Sequence, residues 1–214
     1  MIASLNRTLF TGHSSDAVDR LWKECVESAL PMTERLRASE WCERFRVIPE
    51  GKSHTPGPIS LAKTPHVIMP LDLACSGQVR EAIVAWAVQT SKTEGFLLSK
   101  LLYTLLHRRV NAGYVMPTRD RMEEEADQKI IPALLAAVGG EEAIASSKLS
   151  RVSFRAGNTL YMYGGNSPTA IKGPAIPEGI GDEVDDDALR ADSFSRLSSF
   201  IASSSTSSPM PSGI

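Results

Sequence analysis

Apolar residues recur at helical spacing along several stretches of this chain and alternate along others. Val18, Leu21, Trp22, Cys25, Val26 and Ala29 line one face behind Asp16. They predict a helix over 17–30, ended by Pro31, that packs on the core or docks a partner. Ser39 predicts the cap of a short helix carrying Trp41 and Phe45, and the Pro-, Gly-, Ser- and Lys-rich residues 49–65 read as a loop. Pro70 suits the first turn of a helix over about 70–76. From Thr93 to His107 the period is strong, with Phe96, Leu97, Leu101, Leu102 and Leu105 on the buried side. Pro117-Thr118 opens a further helix to about Ala137, charged at Glu123, Glu124 and Glu125 and then apolar. Pro132 is its expected kink and Gly139-Gly140 its stop.

The strand signals fall between these helices. Residues 82–88 read as the first strand. Asn111-Ala112-Gly113 reads as a turn before the strand Tyr114-Val115-Met116. Residues 151–163 alternate around Ala156-Gly157-Asn158, a hairpin signal. Asn166-Ser167-Pro168 starts a short helix, and 175–181 is the expected strand before Asp182. After about residue 202 the chain is Ser-, Thr- and Pro-rich and lacks core-forming content. Strand–helix alternation predicts an α/β fold, a mainly parallel sheet with helices on both faces.

Composition narrows the classes. The 214 residues are 42% hydrophobic and 22% charged, enough for one α/β domain with a sizeable core. A net charge of −2 gives no global basic field, so any DNA contact is local. Cys25, Cys42 and Cys75 have neither zinc spacing nor a disulfide framework, which suits a reducing cytoplasm. No apolar run reaches membrane-spanning length, and the first residues lack a secretory core.

The polar residues carry the chemistry. The apolar run Ala82-Ile83-Val84-Ala85, a polar loop, then Lys92-Thr93 opening a helix is the layout of a phosphate-binding loop. Lys92 is suited to reach β- and γ-phosphates and the Thr93 hydroxyl to hold Mg²⁺. Ser91 stands where the full pattern has glycine, and the plainer alternative is a Lys-Thr at an ordinary helix start. Asp182-Glu183 supplies the second half: the first acid holds Mg²⁺, the second orients the attacking water. The alternative there is a solvated acidic turn, since five of residues 182–187 are acidic and the preceding strand contains Pro177, Glu178 and two glycines. Arg119 and Arg121, at a helix start, are candidates for a DNA phosphate or a neighbouring subunit's nucleotide.

The order of segments resembles the ATPase half of GpA-type phage terminase large subunits. The resemblance runs from Ser39-Glu40-Trp41 through Lys63-Thr64-Pro65-His66, Met69-Pro70-Leu71-Asp72 and Val79-Arg80-Glu81. It continues through Gln89-Thr90-Ser91-Lys92-Thr93-Glu94, Val115-Met116-Pro117-Thr118, Gly164-Gly165-Asn166-Ser167-Pro168 and Asp182-Glu183-Val184-Asp185. It implies an ATP hydrolase with Mg²⁺, with Gln89 to Glu94 at the nucleotide, Lys92 and Glu183 catalytic, and Thr93 and Asp182 at the metal. The implied partners are double-stranded DNA, a terminase small subunit, a portal protein and further copies of the chain, in the host cytoplasm and without a membrane. The domain reading is an N-terminal helical segment over 1–36, a partial ATPase domain over 37–202 and a Ser/Pro-rich tail over 203–214. No nuclease domain, hence no DNA cleavage, is expected from this chain. A catalytically silent remnant that keeps the fold, and a helicase-like enzyme outside packaging, are the competing readings.

Overall fold

The computed structural model describes residues 35–51, 56–87, 89–165 and 175–183. They belong, Arg35 aside, to the compact unit that begins at Leu36. The expected helices at 17–30 and 166–168 and the tail lie outside the described residues. Helix α1 (Ala38–Phe45) is followed by the two-residue ladder of β1 (Val47–Ile48) and β2 (Gly57–Pro58), then by α2 (Ile68–Cys75). Next come three continuous helical stretches, Lys92–Leu97, Leu98–Leu102 and Tyr103–His107, together α3. After β3 (Ala112–Met116), the stretches Arg119–Glu125, Ala126–Ile130 and Ile131–Ala136 form α4. The turn-length α5 (Gly140–Ala143), β4 (Ile144–Lys148), β5 (Arg151–Phe154), β6 (Thr159–Gly164) and β7 (Glu178–Gly181) complete the described chain.

The sheet order is β4-β5-β6-β3-β7. β3 pairs in parallel with both β6 and β7, and β5 runs antiparallel to β4 and β6. Every strand of this sheet but β5 therefore points the same way, a mostly parallel sheet as expected, with β4-β5-β6 forming two successive hairpins. Ala112, Tyr114 and Met116 share one face of β3 with Leu160 and Met162 of β6 and Ile180 of β7. That face joins Leu98, Leu101, Leu102 and Leu105 of α3 and Met122, Ala126, Ile130 and Leu134 of α4 in one core. Burying each such side chain contributes roughly 1.5–3 kcal/mol.

Local chemistry explains the boundaries. Thr118 caps α4, its hydroxyl accepting from the Arg121 N–H at 3.3 Å. The wide-turned stretch Ala126–Ile130 precedes Pro132. Proline has no N–H to donate back one turn, so the helix loosens there, as expected. Gly164 lets the end of β6 approach the start of α4: a Cβ there would sit 2.4 Å from the Arg119 backbone nitrogen.

Several expectations need correction. Residues 81–87 are not a strand and enter no ladder among the described residues. Val84 and Trp86 are half-buried while Ala82, Ile83 and Ala85 face solvent, so the run anchors by alternate side chains without a strand partner. Ser39 is not the cap of α1. Arg37 holds that position, with its N–H and guanidinium on the Glu40 carboxylate. Ser39 lies inside the helix and donates its N–H and hydroxyl to the Asp72 carboxylate, both at 2.8 Å. β3 begins at Ala112, two residues before the expected start, and Asn111 just ahead of it accepts the Thr159 N–H on its side-chain amide oxygen at 2.8 Å. β4 went unpredicted, its Ile-Ala-Ser-Ser-Lys sequence having almost no apolar period.

Cys42 and Cys75 are buried free thiols. Burial raises Cys42 to about 11 and Cys75 to about 12, outweighing the nearby cations Arg46 and Lys100. Near pH 8 this leaves about a hundredfold fewer Cys42 thiolates than a free cysteine would have. Alkylation followed by mass spectrometry should leave both unmodified in native protein and modify both after denaturation. Rapid native labelling of either would contradict this packing.

Candidate nucleotide site

The site is built where α3 begins and β7 ends. Residues 89–91 turn the chain into α3, and two of them take left-handed backbone, Gln89 at φ 62° and Ser91 at φ 60°. Glycine would adopt this without strain; a side chain does so at roughly 1–2 kcal/mol. The turn is braced from several sides. Thr90 donates its hydroxyl to the Ala87 carbonyl at 2.6 Å, and the His66 ring nitrogen lies 3.0 Å from the Thr90 carbonyl. The Gly95 N–H donates to the Ser91 carbonyl at 2.7 Å. Trp86, just before the turn, packs edge-on between His66 and Phe96. Ser91→Gly should therefore stabilise the fold by up to about 1 kcal/mol, roughly 2–4 °C in Tm, once glycine's own entropy is deducted. A lower Tm would show that Ser91 is not strained.

The acidic half is fixed by the sheet. The Asp182 N–H donates to the Val115 carbonyl at 3.1 Å, tying the end of β7 to the end of β3. Asp182 is 6% exposed. Its Oδ1 lies 2.7 Å from Lys92 Nζ and accepts the Glu183 N–H at 2.8 Å. The lysine and the first acid, ninety positions apart in the chain, thus meet at the C-terminal edge of the strands, where α/β sheets gather ligands. Glu183 has left-handed backbone, φ 54°, and its carboxylate pairs with Arg121 on α4. Behind this edge, burial and then the Asp182 charge push the Tyr114 phenol well above its usual range, so it stays protonated.

The remaining expected residues divide. Gln89, Thr90 and Ser91 form the turn itself, and Thr93 stands beside Lys92 in the first turn of α3. Glu94, expected at the nucleotide, is engaged by Arg46. The guanidinium lies 2.5 Å from Glu94 Oε2, also donates to the Glu94 carbonyl, and reaches Ser99 Oγ at 2.5 Å. Arg46 is 1% exposed, and its burial lowers its basicity despite Glu94. A lone buried arginine costs several kcal/mol unless paired, and Glu94 supplies that pairing. Arg119 pairs with Glu123 on its own helix at 2.7 Å. Sequence reasoning missed Arg46, His66 and Asp72 as supports of this region. Each acts through a partner more than twenty positions away, for which a single sequence carries no local signal.

The mixed, mostly parallel sheet with its helices is that of an α/β, P-loop-like domain. The sequence over residues 53–199 matches the family described as the ATPase domain of the phage terminase large subunit gpA. The chain belongs to that family. No curated protein matches it. Among the described residues no helix is long and apolar enough to cross a membrane.

Proposed function

We propose that this domain binds Mg-ATP at residues 89–93 and hydrolyses it to drive double-stranded DNA into a procapsid. The observation that carries the reading is the 2.7 Å contact of Lys92 with Asp182. Each supplies to the other the charge that it would meet in the nucleotide complex. When ATP enters, Lys92 turns to the β- and γ-phosphates, the turn amides and helix N-terminus face phosphate oxygens, and Asp182 is released. The Thr93 hydroxyl and the Asp182 carboxylate are the residues that would hold Mg²⁺. Both are hard oxygen donors. Among the described residues no three acidic, His or Cys side chains cluster into a protein cage. That sparse set fits Mg²⁺, which keeps waters and phosphate oxygens as its other ligands. Bound there, Mg²⁺ supplies charge neutralisation at the phosphates. Glu183 orients the attacking water and accepts its proton.

The family supports a place in packaging, and with it the portal protein, the small subunit and further copies of the chain as partners in the host cytoplasm. The deciding experiment is phosphate release by the purified chain with Mg²⁺, with and without double-stranded DNA. Turnover stimulated by DNA is the expected result; neither binding nor turnover would end the reading. A second reading, nucleotide binding without turnover, is favoured by one observation: Ser91 holds the strained conformation that glycine would take freely. Binding without phosphate release would select it.

A further inference from the structure

β7 is poorly equipped to find its own place in the sheet. Its four residues are Glu178, Gly179, Ile180 and Gly181, and only Ile180 is buried and apolar. Gly-rich strands specify register weakly, and a one-residue slip turns every side chain to the opposite face. Such a slip would carry Asp182 away from Lys92. Among the described residues β7 has a single ladder, to β3.

A second set of contacts supplies what the strand lacks. Glu178, at the start of β7, has its Oε2 2.8 Å from Lys100 Nζ of α3, and its other oxygen pairs with Arg108, just past the end of α3. The Glu178 and Lys100 side chains are 18% and 12% exposed. Burial alone would raise the Glu178 carboxyl, yet Lys100 and then Arg108 outweigh it and hold it below its usual range. α3 and β7 therefore run antiparallel, tied at both ends. The two ties, Lys92 to Asp182 and Lys100 to Glu178, thus join the same helix and strand eight and four residues apart.

We infer that Glu178, clamped by Lys100 and Arg108, is a positioning residue that sets the register of β7 on α3 and so places Asp182 opposite Lys92. The glutamate that makes this strand look unfit for a buried sheet is what aligns it. The inference rests on the nucleotide reading, since Asp182 is taken there as the Mg²⁺ acid. A register role predicts a selective defect: the Mg²⁺-dependent part of nucleotide affinity is lost, while the part due to Lys92 and the turn amides stays.

The test is titration of the folded chain with a fluorescent ATP analogue, with Mg²⁺ and with EDTA. In Glu178→Gln the gain in affinity from Mg²⁺ should fall about tenfold, the scale of losing a supporting contact behind a metal ligand. Affinity in EDTA should stay within about twofold of wild type. Arg108→Gln removes only the more exposed arm, so it keeps the test open should Glu178→Gln not fold; it should reduce the gain in the same direction, by about threefold. Lys92→Ala is the control that loses both parts. An undiminished Mg²⁺ gain in these variants, or equal losses with and without Mg²⁺, overturns the register role while leaving the nucleotide reading intact. A wild-type chain that binds no nucleotide overturns that reading and this inference together.

Discussion

Lys92→Ala should lower phosphate release by about 10²-fold or more, the scale seen when one donor to developing phosphate charge is removed. The nucleotide complex loses its one cation at the first turn of α3, and the turn amides and helix dipole that remain contribute far less each. Folding stability is affected as well. Asp182 is 6% exposed and, among the described residues, keeps the Glu183 N–H at 2.8 Å. An uncompensated buried carboxylate is destabilising, but the Lys92 side chain is 37% exposed, so water reaches its place and moderates the cost. Lys92→Met keeps the stem packed and separates the two effects: its melting temperature should exceed that of Lys92→Ala while its turnover stays equally low. Steady-state phosphate release, equilibrium nucleotide binding and thermal melting on the same preparations provide the check. Unchanged affinity and turnover in both variants would remove Lys92 from the site.

How far the sequence could be read depended on whether each signal was local. α3 was legible because Phe96, Leu97, Leu101, Leu102 and Leu105 repeat at its period, and all are buried. The β5–β6 hairpin was legible from its alternation and from Gly157, which has φ 92° in the turn. Lys92, Thr93, Asp182 and Glu183 were singled out by residue type and order, and the structure brings Lys92 and Asp182 within 2.7 Å of each other. The failures are non-local. Ser39 has the residue type of a helix cap, yet Asp72 offers it a better acceptor across the fold. Residues 82–88 have a strand's composition but find no ladder among the described residues. In β7, glutamate and glycine argue against a strand by propensity, and ion pairing to α3 overrides propensity there.

Glu183→Gln should separate binding from turnover. Glutamine keeps the side-chain shape and, with the backbone already held at φ 54°, leaves the end of β7 as it is. What disappears is the negative charge and the capacity to accept a proton from water. General-base catalysis of this kind contributes about 10²–10⁴-fold, so phosphate release should fall by at least about 10²-fold. ATP affinity should remain within about threefold of wild type, because Lys92, Thr93, Asp182 and the turn amides are untouched and removing an anion beside the γ-phosphate does not weaken its binding. Stability should change little. The Glu183 and Arg121 side chains are 41% and 52% exposed, and a pair in that setting contributes about 1 kcal/mol at most. The neighbouring acids make the control. Asp185, Asp186 and Asp187 lie outside the described residues, and their amides Asp185→Asn, Asp186→Asn and Asp187→Asn should each retain turnover near that of wild type. The comparison is a single-turnover assay with bound ATP, in which Glu183→Gln holds its nucleotide unhydrolysed. Rapid hydrolysis by Glu183→Gln, or loss of turnover in one of the aspartate variants alone, would move the water-orienting role away from Glu183.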